Sequence, residues 1–273
     1  MNPGRLRWTA QTDPGRYRRH NEDAFLALTF DRREARYLGK TGQGRLSDGD
    51  YMFAVSDGIG GAVAGEFVSQ LAVKTVMALV SKAFHQTARS VPAQAVDLLP
   101  EFCRDIHRRA IQVSEPYPEC RNMGATFSLA WFQKDALAIA HVGDSRVYRL
   151  PPSGGIEQIT IDHTLPGRLK REGKITEREA RDHPQRNKLE MAIGGGLADI
   201  TPQIEQFALE PGARFALCTD GVTDGLWDHA VEKLIRTPPP YLEGVSAADR
   251  LIREARDASG RDNLTAIVVD FEP

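Results

Sequence analysis

The sequence has no apolar run long enough to cross a bilayer, and residues 1–8 lack the apolar stretch of a signal peptide. It has only three cysteines, Cys103, Cys120 and Cys218, with no Cys-x-x-Cys pair. These absences lead us to expect reduced thiols, a cytoplasmic location and no membrane partner. An excess of one charge is also lacking, because 35 basic and 37 acidic side chains give a net charge of −2. We therefore expect no nucleic-acid partner.

The composition is that of an ordinary globular chain. Of the 273 residues, 41% are hydrophobic and 26% are charged, which provides enough apolar material for a sizeable core. The sequence contains no internal repeat and no low-complexity tract, and the prolines at 238–240 indicate a loop rather than a linker. We predict a single domain over residues 1–273, with a monomer as the default state.

Hydrophobic periodicity predicts alternating strands and helices. Three strands with short connections, at 126–132, 136–142 and 146–150, indicate antiparallel neighbours rather than β-α-β units. The polar segment 39–50 is typical of an exposed hairpin loop. The polar segment 162–196 contains a capping box at Thr176, which predicts one short helix. Further strands are predicted at 6–12, 24–30, 51–56, 203–209, 214–218 and 263–271, and helices at 62–84, 93–113 (bent at Pro100), 228–235 and 247–258.

Acidic residues border several of the predicted strands. Asp57, Asp144, Asp220 and Asp262 lie in tight turns beside apolar runs, and Asn21-Glu22-Asp23 leads into another strand. Each of them alone is most simply a turn residue, since Asp and Gly favour turns. Strands of one sheet end side by side, however, so these carboxylates can converge on one point. Several carboxylates close together repel one another and stay partly protonated unless a cation lies among them.

The type of ligand atom indicates which cation this would be. Carboxylate oxygens without a His or Cys cluster at ligand spacing favour Mg²⁺ or Mn²⁺ over Zn²⁺. Two such ions about 3.5–4 Å apart can activate a water molecule and clamp a phosphoryl group during in-line displacement. The residues therefore predict hydrolysis of a phosphoester.

Five short motifs follow one another along the chain. They are Arg18-Arg19-His20-Asn21-Glu22-Asp23, Asp57-Gly58-Ile59-Gly60-Gly61, Gly143-Asp144-Ser145-Arg146, Thr219-Asp220-Gly221 and Gly260-Arg261-Asp262-Asn263. Their order is that found in the metal-dependent PP2C-like (PPM) phosphatases, and the sequence resembles the bacterial members of that family from about residue 8 to residue 271. The resemblance implies an α+β fold, a four-layer αββα sandwich of two mostly antiparallel sheets flanked by helices. Segment 162–196 resembles the flap of bacterial members.

The resemblance also implies an activity and a metal core. The chain would hydrolyse phosphoserine and phosphothreonine in proteins by attack of a metal-activated water. Its partners would then be phosphorylated proteins, namely a Ser/Thr kinase and the substrates of that kinase. In such a site Asp57 bridges two Mn²⁺ or Mg²⁺ ions and the carbonyl of Gly58 binds one of them. Asp220 and Asp262 bind the other ion.

Four further roles follow from the same resemblance. Glu22 and Asp23 would support the metal site directly or through water, and Asp144, together with Asp220, would take part in a third, weaker metal site. Arg18 would bind the substrate phosphate, because a planar fork of donors suits two phosphate oxygens.

The chain departs from the family pattern in two places. Animal members carry a histidine, a candidate general acid, where this chain has Ile59, so another group must protonate the leaving alkoxide. Ala125 stands where the family often has a hydroxyl residue, which indicates a packing variation. Among the histidines near the motifs, His20, His141, His163 and His183, a structural role is the simpler interpretation. His163 is the first to test because the flap borders the cleft.

Two other interpretations compete with the phosphatase. The pattern Gly58-Ile59-Gly60-Gly61 follows a strand and opens a helix, as in dinucleotide-binding folds. Val63 stands where the third glycine is needed, and residues 78–81 offer no acid for a ribose, which argues against that site. The alternative that stays open is a catalytically silent PP2C-like binding or regulatory module. Such a protein should have lost a metal aspartate, and this chain has lost none.

Overall fold

Two six-stranded sheets and a three-stranded sheet form the frame of the computed structural model, which describes residues 4–31, 33–60, 62–87, 95–117, 120 and 122–272. The strands, β1–β15 in chain order, are Arg5–Asp13, Ala24–Phe30, Ala35–Tyr37, Thr41–Arg45, Asp50–Ser56, Gly58–Ile59, Gly124–Ala125, Phe127–Phe132, Ala136–Val142, Arg146–Leu150, Glu157–Gln158, Ile193–Gly194, Gln203–Ala208, Arg214–Cys218 and Leu264–Glu272. The helices, α1–α7, are Ala62–Thr87, Ala95–Ser114, Leu165–Arg171, Glu177–Arg181, Asp220–Gly225, Asp228–Arg236 and Ala247–Ala258. None of the described helices is long and apolar enough to span a membrane.

The strand order explains why neighbouring segments of the sequence meet. One large sheet has the order β11-β10-β14-β15-β1-β4 and the other β13-β9-β8-β5-β2-β3, while the small sheet has the order β12-β7-β6. Every pair in these sheets is antiparallel. The predicted antiparallel pairing is confirmed for β8 and β9. For β9 and β10 it was wrong, because their short connection passes from one large sheet to the other.

Three apolar clusters separate four layers. Along β5, Phe53 and Val55 point into the cluster between the two large sheets, whereas Met52 and Ala54 point into the cluster under α1 and α2. Successive residues of a strand face opposite sides, so β5 is buried on both faces. The third cluster lies between the large sheet that contains β10, β14 and β15 and helices α5–α7. The αββα sandwich predicted from the family resemblance is confirmed.

Several local predictions were wrong. Segment 39–50 is not all loop, because β4 (Thr41–Arg45) pairs with β1 at the edge of a sheet. Its glycines conceal the strand: a Cβ on Gly42 would lie 2.2 Å from the Trp8 ring, and one on Gly44 would lie 2.0 Å from the Tyr51 hydroxyl. Helices α3 and α5 were also not predicted. The predicted start of the second helix at residues 93 and 94 lies outside the described residues, and that helix continues through Pro100.

The registers bring the motif residues to one end of the sandwich. Ala24 pairs with Ser56, Val55 with Ser128, and Phe127 with Val142. The residues just beyond these pairs, namely Asp23, Asp57, Thr126 and Gly143, therefore form a row across the ends of four strands. In the large sheet that contains β14, Cys218 pairs with both Arg146 and Ala266. Asp220 therefore lies beyond the same end of the sandwich as Asp57. The connection from β9 to β10, which contains Asp144, crosses from one sheet to the other at this edge.

We expect the inter-sheet cluster to dominate stability. Phe132 is fully buried and its ring contacts those of Phe53 and Phe215, with centroids 5.8 and 5.4 Å apart. Phe132→Ala should lower the free energy of unfolding by about 3–5 kcal/mol, because it removes this burial and leaves a cavity. Urea titration of the metal-free protein measures the change. The control is Tyr37→Ala, whose ring is 57% exposed, and it should stay within about 0.5 kcal/mol of the parent. An equal effect of the two substitutions would contradict this view of the core.

Candidate metal and phosphate site

Four carboxyl groups at the shared end of the sheets have their pKa raised first by burial and then by the charges of neighbouring carboxylates. Burial is the largest cause for Asp57, whose pKa lies well above its usual value, and the charges of Asp220, Asp23 and Asp144 add to it. The pKa of Asp220 is raised in the same way, by burial and then by Asp144 and Asp224. Burial raises the pKa of Asp23 to about 6 and that of Asp144 to about 7. The carboxylates predicted as metal ligands therefore interact, as the sequence led us to expect.

The oxygen atoms of this site suit a divalent cation. Two buried oxygens, Asp23 Oδ1 and Asp220 Oδ1, have no hydrogen-bond partner. A buried acceptor without a partner costs about 1–3 kcal/mol, and a cation would satisfy it. Among the described residues, no three His, Cys, Asp or Glu side chains form a ready-made cage for a metal ion. The donor set is nevertheless one that Mg²⁺ and Mn²⁺ prefer, and its unsatisfied oxygens and mutual repulsion fit such an ion.

Asp23 is held in place by a neutral hydroxyl group. Thr219 Oγ1 donates to Asp23 Oδ2 at 2.8 Å and accepts from the backbone N–H of Thr265 at 2.9 Å. Thr219 thus joins the ends of β2, β14 and β15 at the residue before Asp220. Because the hydroxyl carries no charge, it fixes one oxygen of Asp23 without neutralising the carboxylate.

Asn263 positions Glu22. Its Oδ1 accepts from the Glu22 backbone N–H at 2.7 Å, and its Nδ2 donates to the carbonyls of Pro14 and His20 at 3.0 and 2.9 Å. One amide group therefore joins the loop before Glu22 to the turn that contains Asp262. Burial raises the pKa of Glu22, although the Arg18 charge opposes this shift.

The first two turns of α1 pack directly against the acidic end, through Gly65 and Ser69. Ser69 Oγ donates to Glu22 O at 2.6 Å, and a Cβ on Gly65 would lie 2.3 Å from Glu22 Oε2. A Cβ on Gly58 would in turn lie 2.2 Å from Gly65 O. Glycine is required at both positions because the helix and the Asp57-Gly58 turn approach this closely.

Thr126 connects Asp57 to the turn that carries Asp144. Its Oγ1 accepts from the Asp57 backbone N–H at 2.9 Å and forms a hydrogen bond with Ser145 Oγ at 2.6 Å. Its own backbone N–H donates to Asp57 O at 2.8 Å. These bonds hold the backbone of Asp57 and the side chain of Ser145, and the carboxylates of Asp57 and Asp144 take no part in them.

Arg18 lies beside Asp262 at the rim of the site. Its Nη2 donates to Asp262 Oδ2 at 2.8 Å, and the two side chains are 49% and 35% exposed. This hydrogen bond is the largest cause that raises the pKa of Arg18, and the charges of Glu22 and Asp57 contribute further. The structure therefore brings the predicted phosphate ligand next to a predicted metal ligand. The assigned roles of Arg18 and Asp262 stay predictions.

Segment 162–196 begins at an ion pair with the Asp144 motif. Arg146 Nε and Nη2 donate to Asp162 Oδ1 and Oδ2 at 3.0 and 2.7 Å. Burial is the largest single influence and acts to raise the pKa of Asp162. The charge and hydrogen bond of Arg146, together with the charges of His141 and Lys170, outweigh it, so this pKa lies below its usual value. An open cleft of about 560 Å³ separates α3 and α4 from Asp144, Asp220 and Asp224. The segment therefore borders the acidic site, where the family resemblance placed the flap.

Sequence reasoning assigned no role to the neutral residues that hold the carboxylates, although Thr126, Thr219 and Asn263 each bond to a motif residue. Thr219 and Asn263 stand within two of the five motifs, so their place there could have indicated a role, whereas Thr126 lies outside them. Asp224 was also missed, although its charge raises the pKa values of Asp144 and Asp220. Its spacing of four residues after Asp220, one turn of α5, could have indicated it.

Comparison with known proteins identifies the family. Residues 40–264 match the family model described as protein phosphatase 2C. The chain belongs to this family. The serine/threonine protein phosphatase PstP of Mycobacterium tuberculosis is 31% identical over 265 residues, which are 97% of this chain and 45% of PstP. The serine/threonine phosphatase stp of Listeria monocytogenes is 29% identical and is matched over 94% of its length. The chain therefore spans about half of one phosphatase and nearly all of another.

Solved phosphatase structures share the fold. The catalytic domain of PstP in complex with two manganese ions superposes with a TM-score of 0.75 at 29% identity, covering 99% of this chain and all of that one. The phosphatase Stp1 of Staphylococcus aureus gives a TM-score of 0.77 at 27% identity, over 97% of this chain and 95% of that one.

The raised pKa values predict how the metal-free protein responds to pH. Asp23 and Asp144 titrate near 6 and 7 in the fold but near 3.9 when unfolded. Since the folded state binds these protons more tightly, they stabilise it fully at low pH, and that contribution is lost as pH rises from about 4 to about 7. In EDTA the melting temperature should fall between pH 5 and pH 8. Saturating Mn²⁺ should restore it by binding the folded state.

Asp144→Asn should flatten this profile and raise the metal-free melting temperature at pH 8, because it removes one repelling charge. Asp48→Asn is the control, since Asp48 is exposed and lies before β5, at the end away from Asp57. It should keep the parent profile. A parent profile that rises from pH 5 to pH 8 in EDTA would contradict the assigned pKa values.

Proposed function

We propose that this chain is a metal-dependent protein phosphatase that removes phosphate from phosphoserine and phosphothreonine in proteins. The observation that carries the proposal is the group of buried and half-buried carboxylates at one end of the sandwich, whose pKa values are raised first by burial and then by the charges of neighbouring carboxylates. The family and its named phosphatases support the same activity. The alternative, a silent binding module, has no support, since every predicted metal aspartate lies at the site.

We propose that the cations are Mn²⁺ or Mg²⁺, with two in the core and a third, weaker one. Asp57, Asp220, Asp262 and the carbonyl of Gly58 would hold the core ions, supported by Glu22 and Asp23. When bound, the ions would supply the Lewis acidity that activates water and stabilises the charge developing on the phosphoryl group. The relative in complex with two manganese ions supports this assignment. Asp144 would contribute to the weaker site with Asp220.

The residues of the chain would orient the substrate. Arg18 has five N–H donors, and one of them bonds to Asp262, so others can meet phosphate oxygens at the exposed rim. Thr126, Thr219 and Asn263 would keep the carboxylates in place. They bond to the Asp57 backbone, to the Asp23 carboxylate and to the Glu22 backbone, respectively. Ile59 has no proton to give to the leaving alkoxide, so that step would fall to another group.

Several finer assignments belong to the same proposal. The chain would act as a single catalytic domain over residues 1–273, with 162–196 as its flap bordering the cleft. Its substrates would be proteins phosphorylated by a Ser/Thr kinase, without a nucleic-acid or membrane partner. A monomeric state and a cytoplasmic location, expected from the sequence, stay predictions.

The activity can be tested by measuring the rate of phosphate release from a phosphothreonine peptide in the presence of Mn²⁺. Asp57→Asn should lower kcat by at least about 100-fold, because it removes the charge proposed to bridge the core ions. Asp50→Asn is a matched control: Asp50 begins β5, the strand that ends just before Asp57, and accepts from Trp131 Nε1 at 2.8 Å. It should keep kcat within about threefold of the parent. Full activity of the parent in EDTA, or of Asp57→Asn in Mn²⁺, would refute the metal-dependent mechanism.

Arg18 can be tested apart from the metals. Arg18→Ala should raise KM for the phosphopeptide about tenfold or more, because a charge-assisted bond to phosphate contributes about 1.5–3 kcal/mol. Mn²⁺ binding measured by calorimetry should change little. The control is Arg16→Ala, since Arg16 is also exposed but pairs with Asp257 at 2.5 Å. Loss of the metals in Arg18→Ala, with KM unchanged, would show that Arg18 supports Asp262 rather than the substrate.

A further inference from the structure

His163 contacts the turn that carries Asp144 at two points. Its backbone N–H donates to Gly143 O at 2.7 Å, and its Nδ1 accepts from the backbone N–H of Gly143 at 3.1 Å. A single residue thus binds both polar backbone groups of Gly143. None of the roles assigned above uses this contact.

The turn needs such support because of its backbone geometry. Gly143 has a φ of +109°, and a Cβ there would lie 2.7 Å from Thr126. A glycine fits this position but contributes no side chain that could anchor the turn. On the other side of Asp144, Ser145 is bonded to Thr126 Oγ1 at 2.6 Å. Asp144 therefore lies between one point fixed by Thr126 and one fixed by His163.

The His163 residue is itself anchored within the base of the flap. Its carbonyl accepts from the Glu190 N–H at 2.7 Å, and the next residue, Thr164, forms a β-bridge with Leu189. The ring lies against that of the buried His141, with centroids 4.8 Å apart. The two ends of segment 162–196 thus meet at His163. Any displacement of this base would act directly on Gly143.

We propose that His163 is a positioning residue, whose Nδ1 lone pair holds the Gly143 amide and thereby orients Asp144, while its backbone ties the flap to the same turn. The functional part of this inference rests on the proposed phosphatase activity, in which Asp144 serves the weaker cation site. The bond requires a neutral ring with its proton on Nε2, since Nδ1 must accept.

Two substitutions at His163 separate the lone pair from the shape of the side chain. In His163→Asn, the Oδ1 atom is bonded to Cγ as Nδ1 is, so an acceptor stays near the same place. His163→Leu keeps a branched side chain but has no acceptor. The control is His183→Leu, because His183 Nδ1 also accepts a backbone N–H, that of Gln185 at 3.1 Å, within the same segment but away from the turn.

Amide hydrogen exchange of the metal-free protein provides a readout that needs no activity. His163→Leu should speed exchange at Gly143 about tenfold, as expected for the loss of one hydrogen bond. His163→Asn and His183→Leu should stay within about threefold of the parent. Equal exchange at Gly143 in the Leu and Asn variants would overturn the proposal.

Kinetics with Mn²⁺ test the consequence for Asp144. His163→Leu should lower kcat for a phosphothreonine peptide about tenfold and leave KM nearly unchanged, and His163→Asn should restore most of kcat. If the exchange pattern holds but kcat of the Leu variant equals that of the parent, the orienting role is refuted. If the parent itself has no phosphatase activity while the exchange pattern holds, the proposed function fails and the His163–Gly143 bond stands.

A measurement on the unmodified chain keeps the proposal testable should the Leu variant fail to fold. Long-range proton–nitrogen NMR spectra of the imidazole distinguish its tautomers. The proposal requires the proton of His163 on Nε2 and none on Nδ1. A ring protonated on Nδ1 cannot accept from Gly143 and would overturn the proposal by itself.

Discussion

The repulsion among the carboxylates at one end of the sandwich is the constraint on which the other features of the site depend. The strand registers bring Asp23 and Asp57 together, the connection between the two sheets adds Asp144, and Asp220 follows the end of β14. Because burial disfavours the charged form, such carboxylates are normally exposed to solvent or protonated. The fold keeps them because a cation of higher charge can replace the missing protons. The unsatisfied oxygens of Asp23 and Asp220 are therefore expected features of a site built for a ligand.

The groups that support these carboxylates are mostly neutral, and this follows from the same constraint. A lysine or arginine at the position of Thr219 or Thr126 would neutralise the neighbouring acid and compete with a metal ion. Hydroxyl and amide groups can orient a carboxylate without changing its charge. Two arginines do lie near the site, but one is at its exposed rim and the other is paired with Asp162. Positive charge is thus kept where a phosphate could meet it or where it is already compensated.

The sequence predicted the buried strands because they have local signals, whereas the four layers came from the family resemblance. Residues 51–55 of β5 form an uninterrupted apolar run, and Asp57 follows the end of the strand. The capping box at Thr176 also follows a local rule and is present in the structure. The missed elements have no such signal. Strand β4 contains two glycines because aromatic side chains pack too closely there for a Cβ. Strands β6, β7 and β12 are only two residues long, so hydrophobic periodicity cannot indicate these three strands. The tie between His163 and Gly143 joins residues 20 positions apart, which only the folded chain brings together.

The placement of the flap shows how one turn can serve two purposes. Helices α3 and α4 bury almost nothing, since Pro166 is their one buried residue within the described chain. Packing alone therefore cannot set the position of this segment. Asp162 and His163 instead attach it by polar bonds to Arg146 and Gly143, on either side of Asp144. Because polar bonds depend on direction more strongly than apolar contacts do, these two residues fix the start of segment 162–196 relative to the Asp144 turn. A displacement of the segment at these bonds would therefore reach Asp144 from both sides, through Gly143 and through Arg146.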